Sequence, residues 1–269
     1  MNLDALFNNP NEKPFDHIPS DGGFCGIFRT IACVGDSLSS GEFESYEDDG
    51  KVHYCDMYEY SWGQFLGRMA GSKVYNFSAG GMTASGYVGW FADERDFWNP
   101  DKAAQAYIIA LGANDIVNYR QTVGGVEDID LSDWKKNNTE TCAGCYAQII
   151  QRYKEIQPHA KFFLVTLPNV WRDDPEIEAL CQAQTEMVYM MAELFSNCYV
   201  IDLHKYAPKQ DERFKELFYL FSHQNPMGYL ATGKMMAAYI DYIIRHNMKD
   251  FIQVGFIGTP YYMERLDKE

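Results

Sequence analysis

Five short apolar runs recur along the chain, and most successive pairs leave room for a helix between them. They cover residues 28–34, 73–77, 106–111, 161–167 and 198–203. Tyr107-Ile108-Ile109-Ala110-Leu111 and Phe162-Phe163-Leu164-Val165 are continuously apolar rather than alternating. A strand of that kind is covered on both faces, as in a parallel sheet. Helical patterns fall at residues 60–70, 142–156, 176–195 and 227–247. Pro175 suits the first turn of the third, Pro226 precedes the fourth, and Arg245-His246 near its end favour the helix dipole. The alternation predicts an α/β chain with an open parallel sheet and helices on both sides.

No linker or internal repeat divides the sequence. Residues 1–27 read as an extended lead-in, because Pro10, Pro14, Pro19 and Gly22-Gly23 block regular structure. Residues 28–247 form the main domain. Residues 248–269 form a C-terminal extension, in which FIQVGFIG either adds an edge strand or covers a hydrophobic face. Residues 41–61 make a long connection, rich in acids and tyrosines, which reads as a solvated surface or a lid. It lies beyond the carboxyl ends of the strands, where open α/β sheets bind ligands.

Charge narrows the function. Lys plus Arg is 23 and Asp plus Glu is 38, a net charge of −15. Nucleic acid and anionic membranes would repel such a chain, and a neutral or cationic small molecule suits it better. No apolar run approaches the length of a membrane span. The N-terminus lacks a basic start followed by a long apolar stretch. The 7 Cys are an odd number and scattered. A cytoplasmic protein with reduced thiols is the expectation. Cys142-Ala143-Gly144-Cys145 has no second pair at zinc spacing and reads as ordinary thiols. Aromatic residues make up 15%, enough for both core and pocket. Trp90, Phe91, Phe97 and Trp98 fit either place.

Three strand ends carry small or polar clusters: Gly35-Asp36-Ser37-Leu38, then Asn76 to Thr83, then Gly112-Ala113-Asn114-Asp115. In a parallel sheet they converge on one edge. A nucleophile, a close-approach glycine and an amide donor would face one pocket, which is the set acyl transfer needs. Of the six His, His223 sits in a turn-like stretch before the last helix and is the best-placed base. His204 competes, and His246 fits a helix C-terminus. Taken alone, Ser37 also fits a helix N-cap. Asp36 is the residue expected to order the turn.

These blocks resemble the GDSL, or SGNH, hydrolase superfamily. Gly35-Asp36-Ser37-Leu38 matches its first block, and Asn76-x-Ser78-x-x-Gly81-x-Thr83 is similar to its second. Gly112-Ala113-Asn114-Asp115 is similar to the third, and His223 with Asn225-Pro226 and Gly228-Tyr229 to the last. The resemblance implies a three-layer α/β/α flavodoxin-like fold with a five-stranded parallel sheet in the order 2-1-3-4-5. It also implies a serine esterase without metal or organic cofactor. Ser37 would be the nucleophile and His223 the base, while Ser37 N–H, Gly81 N–H and the Asn114 amide would form the oxyanion hole. One departure stands out. The family's last block has Asp three residues before His, where this chain has Leu220. Three explanations stay open: a backbone carbonyl on His223 Nδ1, a remote acid such as Asp202 or Glu216, or an inert centre. The expected function is hydrolysis of a small ester, with an acylated or acetylated carbohydrate as one candidate. An acyltransferase or thioesterase with the same centre is an alternative, as is a ligand-binding module on a degenerate hydrolase fold. The sequence leaves the oligomeric state open.

Overall fold

The computed structural model describes residues 9–169 and 174–268. Along the chain run β1 (Thr30–Gly35), β2 (Glu42–Tyr46), β3 (Val52–Asp56), β4 (Lys73–Ser78), β5 (Ala106–Ala110), β6 (Lys161–Val165) and β7 (Cys198–Ile201). The main sheet has the order β4-β1-β5-β6-β7 and is parallel throughout. Counting only its own strands, that is the order 2-1-3-4-5 anticipated above. Four long helices flank it: α1 (Trp62–Ala70), α2 (Cys142–Ile156), α3 (Pro175–Leu194) and α4 (Pro226–His246).

Side chains alternate across a strand, so each apolar run feeds two cores at once. Ile31, Cys33, Ile108, Phe163 and Val165 join Leu66 of α1 and Met236 and Ile240 of α4 on one face. Ala32, Val34, Tyr107, Ile109, Phe162 and Leu164 join Tyr146 and Ile150 of α2 and Val188 of α3 on the other. This is why the runs are continuous rather than alternating. Burying one large apolar side chain stabilises by roughly 1.5–3 kcal/mol. Aromatic stacking adds to the second core. Phe77 lies 4.2 Å from Phe97, and Tyr107 lies 4.2 Å from Tyr153, centroid to centroid. Of the four aromatics weighed above, Phe91, Phe97 and Trp98 pack in this core, while Trp90 stands exposed.

The segment after the nucleophile block is not an irregular loop. It is the antiparallel β2–β3 hairpin, in the register Glu42↔Asp56 to Tyr46↔Val52. At the C-terminal end, Phe251, Val254 and Ile257 are buried against the α1–α4 face. Gln105 Nε2 donates to Val254 O at 3.0 Å. The extension therefore covers a face and does not pair as an edge strand. Residues 1–8 of the lead-in lie outside the described residues. Its remainder docks on α4, where Arg245 grips Glu12 at 2.6 and 2.8 Å and Phe24 N donates to Asp241 at 2.8 Å. Cys142 and Cys145 are buried in the first turn of α2, and burial pushes the Cys145 thiol up to about 12. No disulfide is present among the described residues, and none of their helices is long and apolar enough to cross a membrane.

Candidate active site

Ser37 opens a helical turn, Ser37–Ser40, directly beyond β1. Asp36 caps that turn, accepting the Leu38 N–H at 3.1 Å. The cap is thus supplied by Asp36, and Ser37 Oγ makes no hydrogen bond among the described residues. Ser40 Oγ donates to Asp56 Oδ1 at 2.5 Å and anchors the turn to β3. Asp36 is buried, and burial pushes its carboxyl up to about 7.

Beyond β4 the chain turns through Gly80 and Gly81. Gly81 has φ +69°, a left-handed conformation that glycine adopts freely. At Gly80 a Cβ would fall 2.0 Å from Glu42 Oε2, so a carboxylate rests on the bare backbone. Asn114 sits in a π-helical turn, Ala113–Asn118, beyond β5. Its Nδ2 donates to Met82 O at 3.0 Å, and its Oδ1 accepts from Asn118 at 2.8 Å. Buried Asp115 accepts the Ala84 N–H at 2.7 Å. These two bonds lock the second and third blocks together. Burial raises the Asp115 carboxyl above its usual range.

His223 lies on a two-residue ladder, Tyr219–Leu220 against His223–Gln224, which the turn at Phe221 (φ +60°) closes. Asn225 then caps α4 by accepting from Met227 N at 2.9 Å and Gly228 N at 3.0 Å. The ladder packs against the Ser37–Ser40 turn and against β2. The four residues Ser37, Gly81, Asn114 and His223 therefore gather beyond the carboxyl ends of β1, β4 and β5.

Neither acid suggested above contacts His223. Asp202 caps the short helix Leu203–Tyr206 and accepts from Lys205 N, Tyr189 and Thr166. Glu216 is exposed on the helix Glu212–Phe218. The carboxylates at His223 come instead from β2. Glu42 Oε1 lies 3.1 Å from Nε2, and Glu44 Oε2 lies 3.5 Å from Nδ1. Ser222 bridges the second pair. Its Oγ lies 2.9 Å from Nδ1 and donates to Glu44, as does its N–H at 3.0 Å. Glu44 also accepts from Tyr46. Burial alone would raise the Glu44 carboxyl, but these donors outweigh it and hold the group at about 2. Glu42 behaves oppositely. Burial raises it, although His223 pulls the other way. A sequence signal for these residues existed: Glu42 and Glu44 alternate with Phe43 and Ser45 ahead of Asp49-Gly50, a hairpin pattern.

A family model described as GDSL-like Lipase/Acylhydrolase matches residues 33–231, well over half of the sequence. The chain belongs to this family. Solved structures agree on the fold. A family two carbohydrate esterase from Clostridium thermocellum in complex with cellohexaose is 16% identical. It superposes with a TM-score of 0.54 over 82% of this chain and 65% of its own. The family 2 carbohydrate esterase with a carbohydrate binding domain from Corynascus thermopiles (Myceliophthora fergusii) is also 16% identical, with a TM-score of 0.54 over 80% and 66%. A Clostridium thermocellum family 3 carbohydrate esterase is 15% identical, with a TM-score of 0.50 over 80% of this chain and 96% of its own. This GDSL-family chain spans about two thirds of the family two enzymes. No curated protein is significantly similar in sequence. Family membership supports a hydrolase.

Proposed function

We propose that the protein is a serine ester hydrolase in which Ser37 is the nucleophile, His223 the base and Glu44 the acid that orients the base. The observation that carries this reading is the chain from His223 Nδ1 through Ser222 Oγ to Glu44. A hydroxyl has one proton. Ser222 gives it to Glu44, so Ser222 accepts from Nδ1–H. That tautomer leaves the lone pair on Nε2, the atom a general base needs. Ser37 Oγ then attacks the ester carbonyl and passes its proton to Nε2. The N–H of Ser37, the N–H of Gly81 and the Asn114 amide hold the oxyanion, each worth roughly 3 kcal/mol in the transition state. His223 protonates the departing alcohol, and water repeats the sequence to release the acid.

Glu42 stands on Nε2 in this structure, so turnover requires it to turn aside. That contact is also the one observation favouring a second reading, a ligand-binding module that has lost hydrolysis. Transfer to an alcohol or thioester chemistry would use the same groups. An acylated or acetylated carbohydrate fits the open recess beside Gly80 and Gly81, where Trp90 and Tyr119 offer exposed rings. A fluorophosphonate probe decides between the classes. Labelling that is lost in Ser37→Ala and in His223→Ala is the expected result. A folded wild-type protein that resists the probe would sink the hydrolase reading.

A further inference from the structure

A cavity of about 390 Å³ opens beside the nucleophile turn, and Gly81 is not part of its lining. Asp36, Leu38 and Ser39 from the nucleophile block line it, with Phe221, Ser222 and Gln224 from the base loop. Its inner wall is made by Trp62, Val165, Leu203 and Met236, all buried. Cys181 of α3 and Ala207 add to its sides.

The wall is mostly apolar, and several of its polar residues make their hydrogen bonds inside the protein, while Lys215 and Asn118 add polar groups to the lining. Gln210 accepts from Tyr219 at 2.9 Å, and Gln224 accepts from Thr232 at 3.0 Å. Thr166 donates to Asp202 at 3.3 Å and accepts from His204 N at 3.0 Å. Ser39 Oγ is buried against Gly35 and has no hydrogen-bond partner among the described residues. A sugar ring entering here would lose its water and gain few partners, which costs on the order of 1–3 kcal/mol for each unpaired hydroxyl. An aliphatic chain loses nothing comparable and gains by burial.

We propose that this cavity receives an aliphatic chain of the substrate, so that the ester carries a medium-length hydrocarbon on one side of the scissile bond. The proposal rests on the hydrolase reading for the position of the scissile bond, but not for the binding itself. At roughly 30 Å³ for each water-sized group, the space holds on the order of ten methylenes. Each buried methylene should strengthen binding about three- to fourfold.

The chain-length dependence of binding tests this without chemistry. In Ser37→Ala, methyl octanoate should bind at least about tenfold more tightly than methyl butanoate by titration calorimetry. Cys181→Phe and Ala207→Phe fill the cavity from different sides, and each should erase that preference. Equal affinities at every length, or a preference that survives both folded variants, would overturn the proposal. Turnover then locates the chain. A p-nitrophenyl ester series lengthened in the acid and an acetate series lengthened in the alcohol should diverge, with one rising in kcat/KM towards about eight carbons. A rise in neither, in an enzyme whose Ser37 takes the fluorophosphonate, also overturns it. If Ser37 resists the probe while octanoate still binds preferentially, the nucleophile assignment fails and the cavity assignment stands.

Discussion

Glu42 and Glu44 sit two residues apart on one strand, face the same imidazole, and have opposite consequences for it. Glu44 reaches Nδ1 through Ser222 and, in the proposed mechanism, sets the tautomer. Glu42 sits at Nε2, the atom that would accept the Ser37 proton in the proposed mechanism. Glu44→Gln keeps the shape and removes the charge, so kcat should fall about 10- to 1000-fold with little change in KM. The loss is smaller than for a directly bonded acid, because Ser222 still bridges. Glu42→Ala should act the other way, raising kcat/KM by up to about tenfold as the competent population grows. Steady-state kinetics on one p-nitrophenyl ester checks both. If Asp202→Asn or Glu216→Gln impairs turnover and Glu44→Gln does not, the orienting acid has been misassigned.

The nucleophile turn shows what an element can cost when it is built for position. Asp36 caps it from a buried site with its carboxyl pushed up to about 7. A carboxyl whose folded pKa is raised holds its proton more tightly when folded. The penalty is therefore full above about pH 7 and fades as pH falls towards the unfolded value near 4. Asparagine caps equally well without the charge. Asp36→Asn should raise stability by about 1–2 kcal/mol at pH 8 and by much less at pH 5, read from denaturant midpoints. Elements differed in how plainly the sequence announced them. The helix at Cys142–Ile156 is where its periodicity puts it, and the long helices after Pro175 and Pro226 agree within a residue or two. Strand ends were less legible. Phe28 packs on Phe163 and Phe251, so β1 starts at Thr30 rather than at the first apolar residue. The hairpin was missed because its acids and exposed faces look like solvated loop when burial is unknown. With it went the acid: Ser37, Gly81, Asn114 and His223 are marked by motif, whereas the hairpin pattern only puts Glu44 on a strand and its partner Ser222 lies 178 residues away.

At the scale of the whole molecule, the net charge of −15 surrounds a neutral reaction. Anionic substrates should be disfavoured through long-range repulsion that salt screens. A p-nitrophenyl hemisuccinate should therefore react more slowly than the butyrate, and the gap should narrow between about 20 and 500 mM NaCl. A gap that salt does not change would place discrimination in the site itself. The β2–β3 hairpin has a consequence of a different kind. It follows the nucleophile at once, so Ser37 and Glu44 are encoded side by side while His223 arrives near the end of the chain. Replacing residues 42–56 with a short linker would spare every motif by which a serine hydrolase of this family is recognised. Genome surveys that count motifs would score such a gene as intact. On the mechanism proposed above, its product would keep the nucleophile and the base and lose the carboxylate that tells the base which nitrogen to use.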